Sequence, residues 1–122
     1  MALRPFIYKA QVVRIVDGDT VWCRMDLGFR CYAEHSIRLT DIDTPELFSG
    51  DDRAAGALSK QMTEEWVAAG VDLAEGDEWP FLLHSEKGGG FGRWAGTLWR
   101  RGDERSLNDW LVDNGYAVSS PQ

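Results

Sequence analysis

The sequence is short of positive charge. It holds 13 lysines and arginines against 20 aspartates and glutamates, a formal net charge of −7 over 122 residues. That balance excludes a protein that coats nucleic acid through a general basic surface, because such binding rests on many contacts from Lys and Arg to phosphate. It does not exclude a local site. Salt screens charges beyond ~8–10 Å, and a bound divalent cation reverses the sign around it. No run of about 20 apolar residues occurs, so no membrane-spanning helix is expected. The start, Met1-Ala2-Leu3-Arg4-Pro5-Phe6, has neither an apolar leader core nor a small-residue cleavage site. A cytoplasmic protein is therefore expected, with a mature secreted form carrying an added Met as the alternative. Cys23, Cys31, His35 and His84 show no zinc-site spacing. The glycine-rich stretch from Gly88 lacks the Gly-Lys-Ser/Thr of a nucleotide-binding loop. There are no repeats and no low-complexity tract.

Alternation and turn residues mark the elements. Phe6 to Val16 is apolar and β-branched and ends at Asp17-Gly18, a hairpin signal. Thr20 to Met25 reads as the return strand, and Phe29 to Leu39 as a third, longer strand after a turn near Gly28. Pro45 ends that run. Ala55, Leu58, Met62 and Trp66 recur at three- and four-residue steps, which predicts an amphipathic helix from Asp52 to Ala69 stopped by Gly70. Pro80 to Ser85 and Gly92 to Trp99 read as two strands around a glycine-rich turn, with Trp94, Leu98 and Trp99 as core. Ser106-Leu107-Asn108-Asp109 resembles a capping box ahead of a second helix, and Gly115 sits where a C-terminal glycine belongs. The order β-β-β-α-β-β-α, a meander, a helix and a closing hairpin, is that of a five-stranded OB-fold Greek-key barrel, α+β and mainly β, with about two helices. One domain over 1–122 is expected at this length. Cys23 and Cys31 flank the second hairpin turn, Asp26-Leu27-Gly28-Phe29. A three-residue loop would set them opposite each other and a two-residue loop on opposite faces, so two reduced thiols are expected and a disulfide stays open.

Three clusters carry chemistry. Asp17-Gly18-Asp19 makes a turn and places a second carboxylate at the start of a strand. In Arg38-Leu39-Thr40-Asp41-Ile42-Asp43-Thr44-Pro45-Glu46 the acidic groups crowd a strand end, where like charges repel unless something positive sits among them. An EF-hand is excluded, since Pro45 and Glu46 fall where its loop needs a ligand and a glycine. In Gly88-Gly89-Gly90-Phe91-Gly92-Arg93 an arginine opens a strand. Together these offer hard oxygen donors, two guanidinium groups and a spare carboxylate. Hard cations take carboxylates and carbonyls, arginines hold phosphate oxygens, and a carboxylate can accept a proton from water.

At this point the sequence resembles the staphylococcal-nuclease (thermonuclease-like) family. The resemblance rests on Val-Asp-Gly-Asp-Thr-Val from Val16, Ile-Arg-Leu followed by Asp-Thr-Pro-Glu, Phe-Gly-Arg from Phe91, and Leu-Asn through Asn-Gly-Tyr-Ala, in the family's order between Gln11 and Val118. It implies that Asp19 and Asp43 bind Ca²⁺ with the backbone carbonyl of Thr44, that Asp17 lies behind them, and that Glu46 activates the attacking water. Arg38 and Arg93 would hold the phosphate, and Phe91 and Tyr116 would contact substrate. The implied activity is calcium-dependent hydrolysis of DNA and RNA, single-stranded by preference, to 5′-hydroxyl and 3′-phosphate ends. The six tryptophans leave a monomer or a homodimer open. The acidic charge favours two alternatives: a non-catalytic OB module that binds nucleic acid or protein, and a phosphodiesterase of narrow substrate.

Overall fold

The computed structural model describes residues 5–45, 53–87 and 94–120. Three strands open the chain: β1 (Ile7–Asp17), β2 (Thr20–Asp26) and β3 (Tyr32–Leu39). A two-residue β4 (Ile42–Asp43), the helix α1 (Arg53–Leu73), β5 (Phe81–Lys87), β6 (Trp94–Arg100), α2 (Leu107–Asp113) and a two-residue β7 (Val118–Ser119) follow. The long strands close into a barrel in the order β1-β2-β3-β6-β5, with β5 returning to β1. All pairs are antiparallel except β3 with β6. A parallel pair needs a long crossover, and here it contains β4, α1 and β5. This is the OB-fold Greek-key barrel the element order predicts, mainly β with two helices.

The period of two decides what goes inside. In β2, Val21, Cys23 and Met25 are buried, while Thr20, Trp22, Arg24 and Asp26 face outward. Ala10, Ile37, Leu39, Phe81, Leu83 and Leu98 fill the barrel from the other strands. Leu107 and Leu111 of α2 and Trp66 and Val67 of α1 join the same core. Burial of each such large side chain stabilises by about 1.5–3 kcal/mol before entropy is subtracted. Register shifts between Val12 and Arg14 and between Ile15 and Asp17 bend β1.

The sequence reading needs four corrections. First, β3 begins at Tyr32, not Phe29, because Gly28, Phe29 and Arg30 all have positive φ within a five-residue loop from Leu27 to Cys31. Leu27 N–H donates to the Cys31 carbonyl and Cys31 N–H to that of Gly28, each at 2.9 Å. Cys23 therefore pairs with His35 across the strands, and neither loop length weighed above applies. Both thiols are free, Cys23 buried and Cys31 exposed.

Second, α1 runs through Gly70 to Leu73. Gly70 is there for closeness: a Cβ would stand 2.7 Å from Phe81 Cε1 and 2.9 Å from Arg100 Cγ. Third, the buried face of α1 is Gly56, Ser59, Thr63, Trp66, Val67 and Gly70, one step round from the expected stripe, and Leu58 is exposed. Small residues let the helix sit against the barrel. Fourth, Trp94 is 40% exposed and packs on His35 at the barrel surface, and Trp99 is only half-buried, so of the three residues expected as core Leu98 alone fills it. The paired strands β4 and β7 were not foreseen; two residues each show no period.

The second helix matches expectation in detail. Ser106 Oγ accepts from Asp109 N–H at 3.1 Å. At the other end Gly115 has φ +80°, with Tyr116 N–H on the Leu111 carbonyl and Gly115 N–H on that of Val112. That bond pair is the Schellman motif.

Candidate functional site

Arg38 is fixed by the sheet, since it is outward on β3 and pairs with Thr20 of β2 at one register position. Asp19 belongs to the tight turn just before Thr20. Beyond β3 the chain reverses at Thr40-Asp41, where Asp41 has φ +62°, a left-handed conformation that aspartate tolerates better than most residues. Thr40 N–H is tied to the Gly96 carbonyl at 2.8 Å. The reversal brings Ile42, Asp43 and Thr44 back beside Arg38. β7 then pairs with this return, Asp43 opposite Val118.

The result is a cluster drawn from distant stretches of chain. Arg38 Nη2 forms an ion pair with Asp43 Oδ1, stands 3.6 Å from Asp19 Oδ2, and donates to the Ile42 carbonyl at 3.3 Å. Asp19 is 95% buried by its 5% exposure. Its Oδ2 accepts from Thr44 N–H at 3.2 Å and its Oδ1 from the Thr20 hydroxyl at 3.1 Å. Asp19 N–H in turn donates to Asp17 Oδ1 at 3.2 Å.

Two carboxyl groups this close do not ionise alike. Burial, then the hydrogen bond and charge of Asp19, push Asp17 up to about 6. For Asp19 burial also opposes the charge, yet hydrogen bonds from Asp17, Thr44 N–H and Thr20 and the Arg38 charge hold it below the usual carboxylate range. When one proton is present it sits on Asp17, and Asp19 stays anionic.

Helix α1 braces the cluster from behind. Thr63 Oγ1 donates to the Gly18 carbonyl at 2.9 Å and Ser59 Oγ to the Tyr116 carbonyl at 2.7 Å. A Cβ on Gly18 would stand 2.8 Å from Ser59 Cβ and 3.0 Å from Thr44 Cγ2, so only glycine lets the turn, the helix and Thr44 meet. Asn108 of α2 holds the β3–β6 seam. Its Oδ1 accepts from Leu98 N–H at 3.2 Å, and its Nδ2 donates to the carbonyls of Thr40 and Gly96, each at 3.1 Å. Sequence reasoning missed Ser59, Thr63 and Asn108. The four-residue step from Ser59 to Thr63, between Gly56 and Gly70, was the signal for the first two.

Of the expected site residues, Asp17, Asp19, Arg38, Asp43 and Thr44 are brought together. Tyr116 lies apart in contact terms, its ring against Trp110 at 5.8 Å between centroids and its carbonyl on Ser59. Glu46, Phe91 and Arg93 lie outside the described residues. Among the described residues no three carboxylate, histidine or cysteine groups are gathered as a metal cluster, and no helix is long and apolar enough to cross a membrane. An OB barrel is a shape suited to binding nucleic acid. No protein-family model matches the chain, and no curated protein matches it significantly.

Proposed function

We propose that residues 1–122 form one OB-fold domain of the staphylococcal-nuclease type, which binds DNA and RNA and hydrolyses their phosphodiester bonds with calcium. One observation carries the reading: Asp19 of the β1–β2 turn, Arg38 of β3, and Asp43 and Thr44 of the return after β3 share one small volume in which two carboxylates surround a single cationic group. The buried Asp19 carboxylate is held anionic by Thr44 N–H, the Thr20 hydroxyl and the Arg38 charge, so a negatively charged oxygen ligand is in place.

The donor set suits a hard divalent cation. Asp19 and Asp43 would hold Ca²⁺ with the Thr44 carbonyl, all oxygen donors of the kind calcium takes. When bound, the ion would neutralise charge on a phosphate oxygen. Arg38 lies at the carboxylate pair and can present its fork to the other phosphate oxygens. Glu46 accepts a proton from the attacking water, and Arg93 meets the charge that develops on phosphorus oxygens. Water oxygen bonds to phosphorus as Glu46 takes its proton, the bond to the 5′ oxygen breaks, and that oxygen takes a proton from solvent to leave as a hydroxyl, with the phosphate kept on the 3′ end and Glu46 returning its proton to solvent.

A second reading is a module that binds nucleic acid or protein without cleaving. It is favoured by the net charge of −7 and by the ion pair that already occupies Arg38. Cleavage of heat-denatured DNA in millimolar calcium separates the two. Hydrolysis that stops with chelator and in Glu46→Gln, leaving 3′-phosphate ends, is the expected result. Folded protein that binds the DNA in calcium and leaves it intact gives the binding module instead.

A further inference from the structure

The outer face of the β1–β2–β3 meander is unlike the rest of this acidic chain. Outward positions on β2 are Thr20, Trp22, Arg24 and Asp26. Their partners on β1 are Asp17, Arg14, Gln11 and Lys9, and on β3 Arg38, Ser36, Glu34 and Tyr32. The face thus interleaves aromatic rings with guanidinium groups. Arg14 lies 5.8 Å from the centre of the Trp22 ring and Arg24 lies 4.7 Å from that of Tyr32. Tyr32 in turn stacks on Trp79 at 5.8 Å with planes 10° apart. Lys9, Arg14 and Arg24 balance the carboxylates of Asp17, Asp26 and Glu34, and Arg38 is paired with Asp43, so the face is close to neutral where the whole chain carries −7. Beside Trp22 is an open groove of about 310 Å³ lined by Val13, Arg14, Trp22 and Glu34, with apolar walls.

This face is continuous with the candidate site. Arg38 is the neighbour of Thr20, and each further pair along β2 lies two residues on. At ~3.3 Å per residue, the path from Arg38 to Tyr32 is ~20 Å. We propose that this face is a track for single-stranded nucleic acid. Trp22 is the platform on which one base stacks in the groove, and Arg14 and Arg24 meet backbone phosphates on either side. A base presents a π-face whatever its identity, and guanidinium groups beside aromatic rings suit alternating bases and phosphates. A duplex hides its base faces and offers Trp22 nothing to stack on. The track would carry the strand toward Arg38, so that a chain with net negative charge holds its substrate by stacking more than by general attraction. The inference rests on the nucleic-acid reading above but not on cleavage.

The test is fluorescence anisotropy with a labelled single-stranded oligothymidylate of about 12 nucleotides, in chelator so that nothing is hydrolysed. Trp22→Ala is expected to weaken binding about 5- to 150-fold, the range for loss of one base–aromatic stack, and Trp22→Phe to restore most of it. Arg14→Ala and Arg24→Ala should each lower the dependence of log K on log salt by about 0.7. Arg105→Ala, which removes one charge ahead of α2, should leave that slope unchanged. Unaltered affinity and slope in the Trp22 and Arg14 variants, with wild type still binding, overturns the track and leaves the candidate site standing. Tighter binding to a duplex of the same length also overturns the track. If wild type binds no oligonucleotide, with or without calcium, the nucleic-acid reading falls and the track falls with it.

Discussion

Removing the Asn108 side chain tests whether the seam it spans is what holds the site end of the barrel. Among the described residues β6 pairs with β3 from Trp94 to Gly96. Past that point β3 has turned away, and Asn108 Oδ1 takes the place of a strand for Leu98 N–H while Nδ2 satisfies the Thr40 and Gly96 carbonyls. Asn108 is 4% exposed, so bulk water does not replace it freely. Three hydrogen bonds at about 1 kcal/mol net each give a loss of about 3 kcal/mol in Asn108→Ala. The Gly96 carbonyl keeps Thr40 N–H, but Leu98 N–H and the Thr40 carbonyl lose these contacts. With an unfolding entropy of about 2.1 cal/mol/K per residue, each kcal/mol moves the midpoint of a chain this size by about 4 °C, so Tm should fall by about 12 °C. Tryptophan fluorescence on heating, with a urea titration at 25 °C, measures it. Asn108→Asp should be at least as unstable near neutral pH, since a carboxylate would face two carbonyls, and should recover as the pH is lowered and the group regains a proton to donate. A midpoint within about 3 °C of wild type for Asn108→Ala would refute the seam argument.

Burial pushes the Cys23 thiol up from the ordinary range near 9 to about 12, so a thiol reagent should count one cysteine, Cys31, in the native protein and two in denaturant. The same shift means that the native state keeps a proton that the unfolded chain gives up, so this contribution to stability is complete below about pH 9 and drains away as pH rises toward 12; in Cys23→Ala the alkaline decline in urea midpoint should be shallower. Gly96→Ala should cost more than Gly70→Ala in thermal melts. A Cβ at 96 meets the His84 backbone carbonyl at 2.8 Å, which cannot swing aside, whereas at 70 the Arg100 side chain can give, leaving the Phe81 ring as the obstacle. Overpacking of about 1–3 kcal/mol at Gly70 is partly offset by about 1 kcal/mol of helix propensity, and equal melts for the two variants would contradict the contrast. Asp19→Asn should raise the calcium concentration needed for half-maximal cleavage, and an unchanged titration removes Asp19 from the ligands. Arg38→Ala should slow cleavage about 10²- to 10³-fold at saturating calcium, the scale for one lost donor to the reacting phosphate.

How much of this could be read from the letters depends on the range of the forces involved. The barrel strands were legible because Val21, Cys23 and Met25 alternate with Thr20, Trp22 and Arg24, and α2 because its caps are local chemistry at Ser106 and Gly115. The face of α1 was misjudged because Leu58 and Met62 look like core, while the surface they would have met favours Ser59 and Thr63, whose hydroxyls find carbonyls of Tyr116 and Gly18 far away in sequence. Gly70 read as a stop because a glycine's tertiary neighbours are invisible along the chain. At the site, the crowding of Asp19, Asp43 and Arg38 was legible as charge at strand ends. The left-handed turn at Asp41 and the pairing of Asp43 with Val118 were not, since both depend on where the chain returns.

That last pairing has a consequence for timing. The barrel strands end at Arg100, yet Asp43 is pinned by a strand that lies eighteen residues further on and includes Val118. When Arg100 has been made, the segment bearing Asp43 has Arg38 and Asp19 beside it but still lacks the strand that pairs with its backbone. The acidic rim gains its last strand only after α2 has docked and the chain has doubled back past Gly115, so the core and the site are completed by the same final stretch of chain.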